Sequence, residues 1–141
     1  MKYNFKNRYK YDVKQKCIDA GFKLSKSFLE ADNEDIVNNW NGIGASGRWY
    51  NKFIPKTIWL VNVELPSCPH DWQYKVGVNL YEKQRADKSY LYNIIVWVKP
   101  VSTWFMFKLR RIRAYTMYYS FVSHFGYKFF FKGKIKINNV T

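Results

Sequence analysis

Apolar and polar positions follow a helical period most clearly between residues 79 and 98. Asn79 followed by Glu82 is a variant of the capping box that begins helices, and a proline just beyond the segment ends the pattern. One stripe, at spacings i, i+4, i+7, i+8 and i+11, consists of Asp87, Leu91, Ile94, Ile95 and Val98. We therefore predict a helix with an aspartate at the polar end of its core-facing stripe. A buried carboxylate needs a partner, which a facing helix could supply to Asp87. Alternatively, Asp87 pairs with Lys83 or Arg85, or is solvated at the helix edge.

A shorter helix is predicted over residues 67–77, where nearby prolines suit a helix start and Gly77 suits its end. His70 and Tyr74 share one face of this helix, because they are four residues apart. Asp71 points about 100° away and can serve a different partner. A packed or capping histidine is the structural alternative for His70. If the two helices face each other, His70 and Tyr74 supply the partners that Asp87 needs.

Residues 102–125 are predicted to form a long third helix that Gly126 ends. Its inward stripe is expected to consist of Phe105, Leu109, Ile112, Thr116, Tyr119 and Val122. A basic cluster in its first half consists of Lys108, Arg110, Arg111 and Arg113. This cluster is either a solvated face or a patch that binds phosphate or a membrane.

The first forty residues carry weaker signals. Residues 1–16 have the composition of a flexible basic arm. Residues 17–31 predict a weak helix that Gly21 interrupts, and residues 32–40 predict a further short helix ending at Trp40.

Two segments between these helices are irregular. Three glycines in Asn41-Gly42-Ile43-Gly44-Ala45-Ser46-Gly47 allow positive φ and close approach to a ligand. The segment lacks the Gly-Lys-Ser/Thr ending of a phosphate loop, so it is either an ordinary flexible loop or one that presents carbonyl groups to a cation such as calcium. An apolar run at residues 57–63 predicts a short strand or a packed loop.

Composition narrows the classes of partner. The chain has 141 residues, which favours one domain over residues 1–141, and 24 Lys and Arg against 10 Asp and Glu give a net charge of +14. Such a charge attracts a polyanion, which can be an anionic membrane surface, a nucleic acid or an acidic protein. With only Cys17 and Cys68, the chain is not a disulfide-dense secreted scaffold. It shows no secretory signal and no apolar stretch long enough to span a bilayer, so we expect a cytoplasmic protein that can be peripheral at a membrane.

The order of these segments resembles the phospholipase A2 superfamily, in particular its short, disulfide-poor prokaryotic and phage-type members. The resemblance covers residues 41–97, and the corresponding core is expected over residues 41–126. It depends on the glycine-rich loop, on His70-Asp71-x-x-Tyr74 and on Asp87 in the following helix. It implies a mainly α fold in which two antiparallel helices carry a His–Asp dyad and a long C-terminal helix follows.

The resemblance also implies roles for individual residues. His70 would be the general base that takes a proton from the water attacking the sn-2 ester. Asp87 would hold the imidazole in the required tautomer, and Tyr74 would hydrogen-bond Asp87.

A calcium site follows from the same resemblance. Asp71 would give its carboxylate to calcium, and backbone carbonyls of Gly42, Ile43 and Gly44 would complete the ligands. Calcium would then polarise the ester carbonyl. Two departures from the family are that Cys68 lies two residues before His70 and that residue 73 is glutamine.

Two functions remain open at this stage. The first is calcium-dependent hydrolysis of phospholipid sn-2 esters at an anionic membrane. The alternative is a non-catalytic phage or mobile-element protein on the same scaffold, which binds an acidic host protein or nucleic acid through its basic surface. A metal-dependent nuclease is disfavoured, because no second cluster of carboxylates in the sequence suits a two-metal site.

Overall fold

The computed structural model describes residues 12–43 and 56–131, which are mainly helical, as predicted. Three short helices come first: α1 (Val13–Asp19), α2 (Lys26–Glu30) and α3 (Asn33–Asn39). A two-stranded hairpin follows, with β1 (Thr57–Ile58) and β2 (Val61–Asn62). The rest consists of α4 (Ser67–Val76), α5 (Leu80–Val98), α6 (Trp104–Met117), a π-helical segment (Tyr118–Ser123) and α7 (His124–Phe130).

The N-terminal helices are shorter than the apolar pattern predicts. The weak helix expected over residues 17–31 is two helices, because Gly21 adopts a φ of +69° just after α1 and the helix does not continue through it. Ser25 then begins α2 by accepting a hydrogen bond from the N–H of Phe28. The helix expected over residues 32–40 is confirmed, and Trp40 follows its last residue. Residues 1–11 of the expected basic arm lie outside the described residues. The prediction is wrong for residues 13–16, which form the first turn of α1 with Val13 buried.

The apolar run at residues 57–63 forms the antiparallel hairpin β1–β2. Trp59 and Leu60 make its turn with φ values of 46° and 68°, a conformation that asparagine and glycine usually adopt in two-residue hairpins. The buried guanidinium of Arg110 donates a hydrogen bond to the carbonyl of Trp59 at 2.9 Å. Arg110 also bonds the carbonyl of Val101 at 2.8 Å, so it ties the turn to the start of α6.

Helices α4 and α5 match their predicted positions closely. The side chain of Asn79 accepts a hydrogen bond from the N–H of Glu82, and Glu82 reaches back to the N–H of Val78 at 2.6 Å. Both hydrogen bonds of this cap are made by residues close together in the chain, which explains why the start of α5 could be located from the sequence. Gly77 ends α4 with an extended backbone rather than the left-handed conformation of a typical glycine cap.

The third predicted helix is wrong in its end and in its inward face. The chain does not stop being helical at Gly126, which lies inside α7, and a π-helical segment separates α6 from α7. Because each π-turn adds a residue, the segment shifts the faces that follow it. The residues of α6 that are buried are Arg110, Ala114 and Met117. Four members of the predicted stripe are exposed instead: Phe105, Ile112, Thr116 and Tyr119.

The core consists of two clusters that meet at α5. One packs α1, α2 and α3 against α4, with Trp40, Phe28 and Ile36 fully buried. The other packs the hairpin and α6 against α5, and Trp97 contacts both clusters. Among the helices that the structure describes, none combines the length and the apolar character needed to cross a membrane.

Candidate functional site

The candidate site lies on the hairpin formed by α4 and α5, which residues 77–79 connect. Nε2 of His70 lies 3.1 Å from Oδ1 of Asp87, and the hydroxyl of Tyr74 donates to the same oxygen at 2.6 Å. Nearer the connection, the amine of Lys83 lies 5.9 Å from the ring centre of Tyr74. The later residue of α4 thus contacts the earlier residue of α5, which means that the two helices are antiparallel. The structure thus brings together His70, Tyr74 and Asp87 across an antiparallel helix pair.

Asp87 receives hydrogen bonds at both of its oxygens. Oδ2 accepts from Nζ of Lys83 at 2.6 Å, and both side chains are almost fully buried. The facing helix and Lys83 therefore share this carboxylate, whereas Arg85 is exposed. Burial raises the pKa of Asp87, but the hydrogen bonds from His70, Lys83 and Tyr74 outweigh burial and leave the pKa below its usual value. Asp87 is accordingly a carboxylate at neutral pH.

His70 lies between two carboxylates and two aromatic rings. Its ring stacks on Tyr90 with 4.7 Å between centres and is tilted against Tyr74 at 4.1 Å. Nδ1 lies 3.8 Å from Oδ1 of Asp71, which is an ion-pair distance and too long for a hydrogen bond. Burial lowers the pKa of His70, yet Asp71 and Asp87 together raise it above the usual 6.5. The protonated imidazole is therefore stabilised by both neighbours.

Asp71 contacts the segment that follows α3. Its Oδ2 accepts a hydrogen bond from the backbone N–H of Asn41 at 2.8 Å. Trp40 anchors this segment, since its indole N–H donates to the hydroxyl of Ser67 at the start of α4 at 2.9 Å. Burial raises the pKa of Asp71, and the opposing effects of His70 and of the backbone amides of Asn41 and Gly42 do not cancel it.

The expected calcium ligands can be compared with this arrangement. Calcium prefers six to eight oxygen ligands, and Asp71 supplies a carboxylate. Gly42, which follows Asn41 in the chain, adopts a φ of +77°. The N–H of Asn41, however, directs a partial positive charge at Oδ2, where calcium needs free oxygens. One oxygen of the expected carboxylate ligand is therefore already hydrogen-bonded. Gly44, another expected ligand, lies outside the described residues. Calcium binding stays a prediction from the resemblance.

Helix α7 covers the connection end of the site. A Cβ atom added to Gly126 would lie 2.5 Å from the hydroxyl of Tyr74 and 3.5 Å from Nζ of Lys83. Phe130, one helical turn later, packs its edge against the ring of Tyr74 with 5.2 Å between centres. The absence of a side chain at Gly126 therefore allows α7 to lie directly on Tyr74.

Three contributors to the site were not predicted from the sequence. Tyr90 lies three residues after Asp87, so helical spacing could have placed it on the same face. Gly126 was assigned to a helix end, because nothing local distinguishes a packing glycine from a capping one. The N–H of Asn41 belongs to a loop that is positioned beside α4 by the buried Trp40. This is a tertiary contact, which the local sequence does not indicate.

Comparison of the chain with protein-family models, with curated proteins and with solved structures finds no match. The geometry of the site is therefore the basis for assigning a function.

Proposed function

We propose that the protein hydrolyses the sn-2 ester of phospholipids at an anionic membrane surface, in the manner of the phospholipase A2 superfamily. The observation that supports the proposal is the contact of His70 and Tyr74 on one helix with a single oxygen of Asp87 on the next. In general-base catalysis, a buried carboxylate commonly holds one nitrogen of the histidine and leaves the other to accept a proton.

The chemistry follows from the two nitrogens of His70. With its Nε2–H donated to Asp87, the neutral ring carries its lone pair on Nδ1. Nδ1 takes a proton from a water molecule as the water oxygen bonds to the ester carbonyl carbon and the C=O π electrons move to the carbonyl oxygen, which gives a tetrahedral oxyanion. The resulting imidazolium is stabilised by Asp87 and returns its proton to the departing alcohol oxygen when the ester C–O bond breaks. The oxyanion re-forms the C=O bond when the alcohol departs.

Tyr74 and Lys83 act through Asp87 rather than on the substrate. Their hydrogen bonds keep the carboxylate ionised and fixed in direction. Both are therefore positioning residues in this proposal. Calcium dependence, implied by the resemblance, is proposed separately, and no step above requires the metal.

A non-catalytic binding protein is the second candidate, and two contacts favour it. Lys83 gives Asp87 a hydrogen-bond partner inside the protein, and Asn41 gives Asp71 a backbone partner. Both contacts satisfy internally the two carboxylates that the reaction and the metal would use. In this case the basic surface would bind a polyanion without turnover.

Hydrolysis of anionic phospholipid vesicles tests the first candidate. The wild-type protein is compared with His70→Gln and with His124→Gln, a matched control at the other histidine of the chain, which is exposed on α7. We expect His70→Gln to reduce fatty acid release by at least about 100-fold, because a general base contributes roughly that much or more. His124→Gln should retain the wild-type rate.

Two further arms complete the experiment. Vesicles labelled separately at the sn-1 and sn-2 positions identify the ester that is cleaved, and calcium or a chelator tests the metal together with Asp71→Asn. Folded wild-type protein that releases no fatty acid under either condition contradicts the enzymatic proposal and favours the binding protein. Equal rates for His70→Gln and the wild type would also contradict it.

A further inference from the structure

Helix α6 exposes large apolar side chains that its sequence pattern would place in a core. Trp104, Phe105 and Ile112 are 73%, 61% and 64% exposed. Isolated exposed apolar residues are common, so the significance of these residues depends on whether they are adjacent.

Helical spacing places them on one side of α6, with Lys108 and Arg111 between them. Trp104, Lys108, Arg111 and Tyr115 follow one another at i, i+4, i+7 and i+11, which forms a single row along α6. Phe105 and Ile112 lie one position further round and form a second row beside the first. The amine of Lys108 lies 3.7 Å from the ring centre of Trp104. We call the six residues of these two rows the outer face of α6.

The helix already has a separate packed side. Ala114 and Met117 are buried against α5 and the hairpin, and Arg110 is held by carbonyl groups on the same side. Burial of one apolar side is what fixes a surface helix to its domain. The outer face is therefore a second apolar surface, opposite the one that the fold needs.

The charges on α6 itself all have one sign. From Lys88 to Thr141 the sequence contains ten lysines and arginines and no aspartate or glutamate. Lys108 and Arg111 lie within the face, and Arg113 is also exposed on α6. A second copy packed symmetrically on this face would bring like charges together, so the face favours an anionic partner over itself.

We propose that the outer face of α6 is the surface by which the protein adsorbs to an anionic phospholipid bilayer. Trp and Tyr are favoured at the boundary of headgroups and acyl chains, whereas Phe105 and Ile112 can enter the acyl region. The stems of Lys108 and Arg111 allow their charges to reach lipid phosphates while the helix lies in the interface. Ile112, in the second row, is aliphatic and has no stacking role toward nucleic acid, which favours lipid. The inference deepens the proposed function and rests on it for the identity of the substrate surface.

Adsorption is measured without hydrolysis by using ether-linked phospholipids, which have no ester to cleave. Sedimentation with vesicles of ether-linked phosphatidylglycerol and phosphatidylcholine is compared with vesicles of phosphatidylcholine alone. The wild type and His70→Gln should bind the anionic vesicles equally and the neutral vesicles much more weakly. Circular dichroism and thermal unfolding verify that each variant is folded.

Two double variants alter the outer face. Trp104→Ser with Ile112→Ser removes the inserted groups, and Lys108→Glu with Arg111→Glu reverses the charge. Each should weaken binding to anionic vesicles about tenfold or more, and the charge variant should also lose most of its salt dependence.

Matched controls lie on other elements. Tyr81→Ser replaces a 72% exposed aromatic residue on α5, and Lys26→Glu reverses an exposed charge on α2. Both should bind within about twofold of the wild type, since neither lies on α6.

The outcomes separate the two proposals. Wild-type binding by both α6 variants overturns the inference, even where hydrolysis is observed. If the α6 variants bind vesicles like the wild type but no longer bind a single-stranded oligonucleotide that the wild type binds, the inference is overturned in favour of nucleic acid. Weakened vesicle binding by both α6 variants supports it, even where the wild type hydrolyses no ester.

Discussion

Asp87 determines the electrostatics of the site, because three side chains meet at its two oxygens. His70 and Tyr74 share Oδ1, and Lys83 takes Oδ2. A buried carboxylate with this many donors is stable only as an anion, and its donors are in turn stabilised by it. Removing Asp87 and removing Lys83 should therefore lower the free energy of unfolding by different amounts.

We expect Asp87→Asn to destabilise the protein more than Lys83→Met. The asparagine variant leaves a buried ammonium without its anion, which costs about 3–5 kcal/mol in comparable pairs. The methionine variant leaves Asp87 with two donors, so its cost should be about 1.5–3 kcal/mol. Urea unfolding of both single variants and of the double variant measures the coupling, and the opposite order would contradict the assigned pairing.

Asp87 should also make stability depend on acid pH. Its folded-state pKa is lowered, so its stabilising effect is present above the unfolded pKa of about 3.9 and is lost as the pH falls through the folded value. The difference in the free energy of unfolding between the wild type and Asp87→Asn should be constant near pH 5 and shrink below about pH 4. Measurements confined to pH below about 5.5 keep His70 protonated in both states. A difference that stays constant down to about pH 2.5 would mean that Asp87 is not held as an anion.

At the scale of elements, Gly126 couples α7 to the site. Replacing a helical glycine with alanine ordinarily stabilises a protein by up to about 1 kcal/mol. Here the added methyl group would meet the hydroxyl of Tyr74, which is fixed by Asp87. We expect Gly126→Ala to lower both the thermal midpoint and the rate of any hydrolysis.

Tyr74→Phe provides the control for this contact. It removes the hydroxyl that the new methyl group would meet, so Gly126→Ala should be tolerated far better in the Tyr74→Phe background than in the wild type. Thermal unfolding of the four proteins of this cycle measures the coupling. Additive effects of the two substitutions would show that α7 does not press on Tyr74.

The elements differ in how far the sequence determines them. Helices α4 and α5 were predicted because their caps use neighbouring residues, such as Asn79 with Glu82. The partners His70, Tyr74 and Asp87 followed from helical spacing together with the resemblance, which implied two antiparallel helices. The inward face of α6 was predicted wrongly, because apolar spacing identifies an apolar surface without telling which side the core occupies. The π-helical segment has no local sequence signal and changes the faces beyond it.

At the scale of the whole molecule, Asn93 joins the N-terminal helices to α5. Its side chain is fully buried, and it accepts a hydrogen bond from the N–H of Lys23 at 2.7 Å and donates one to the carbonyl of the same residue at 3.4 Å. Asn93→Leu would leave the Lys23 amide without this partner, and we expect a cost of about 1–3 kcal/mol. Asn38→Leu, at an exposed position of α3, should change stability by less than about 0.5 kcal/mol. Chemical denaturation checks both values, and equal effects would exclude a special role for Asn93.

The site draws its main side chains from a short stretch of chain, and this affects the order of folding. His70 and Asp87 are separated by 17 positions, whereas the contact between Lys23 and Asn93 spans 70. Closing a short loop costs less chain entropy and occurs sooner, so the hairpin of α4 and α5 is expected to be largely formed in the folding transition state. The N-terminal helices would then dock afterwards. Substitutions in α1–α3 should consequently accelerate unfolding and leave the folding rate nearly unchanged. Substitutions in the contact between α4 and α5 should instead slow folding.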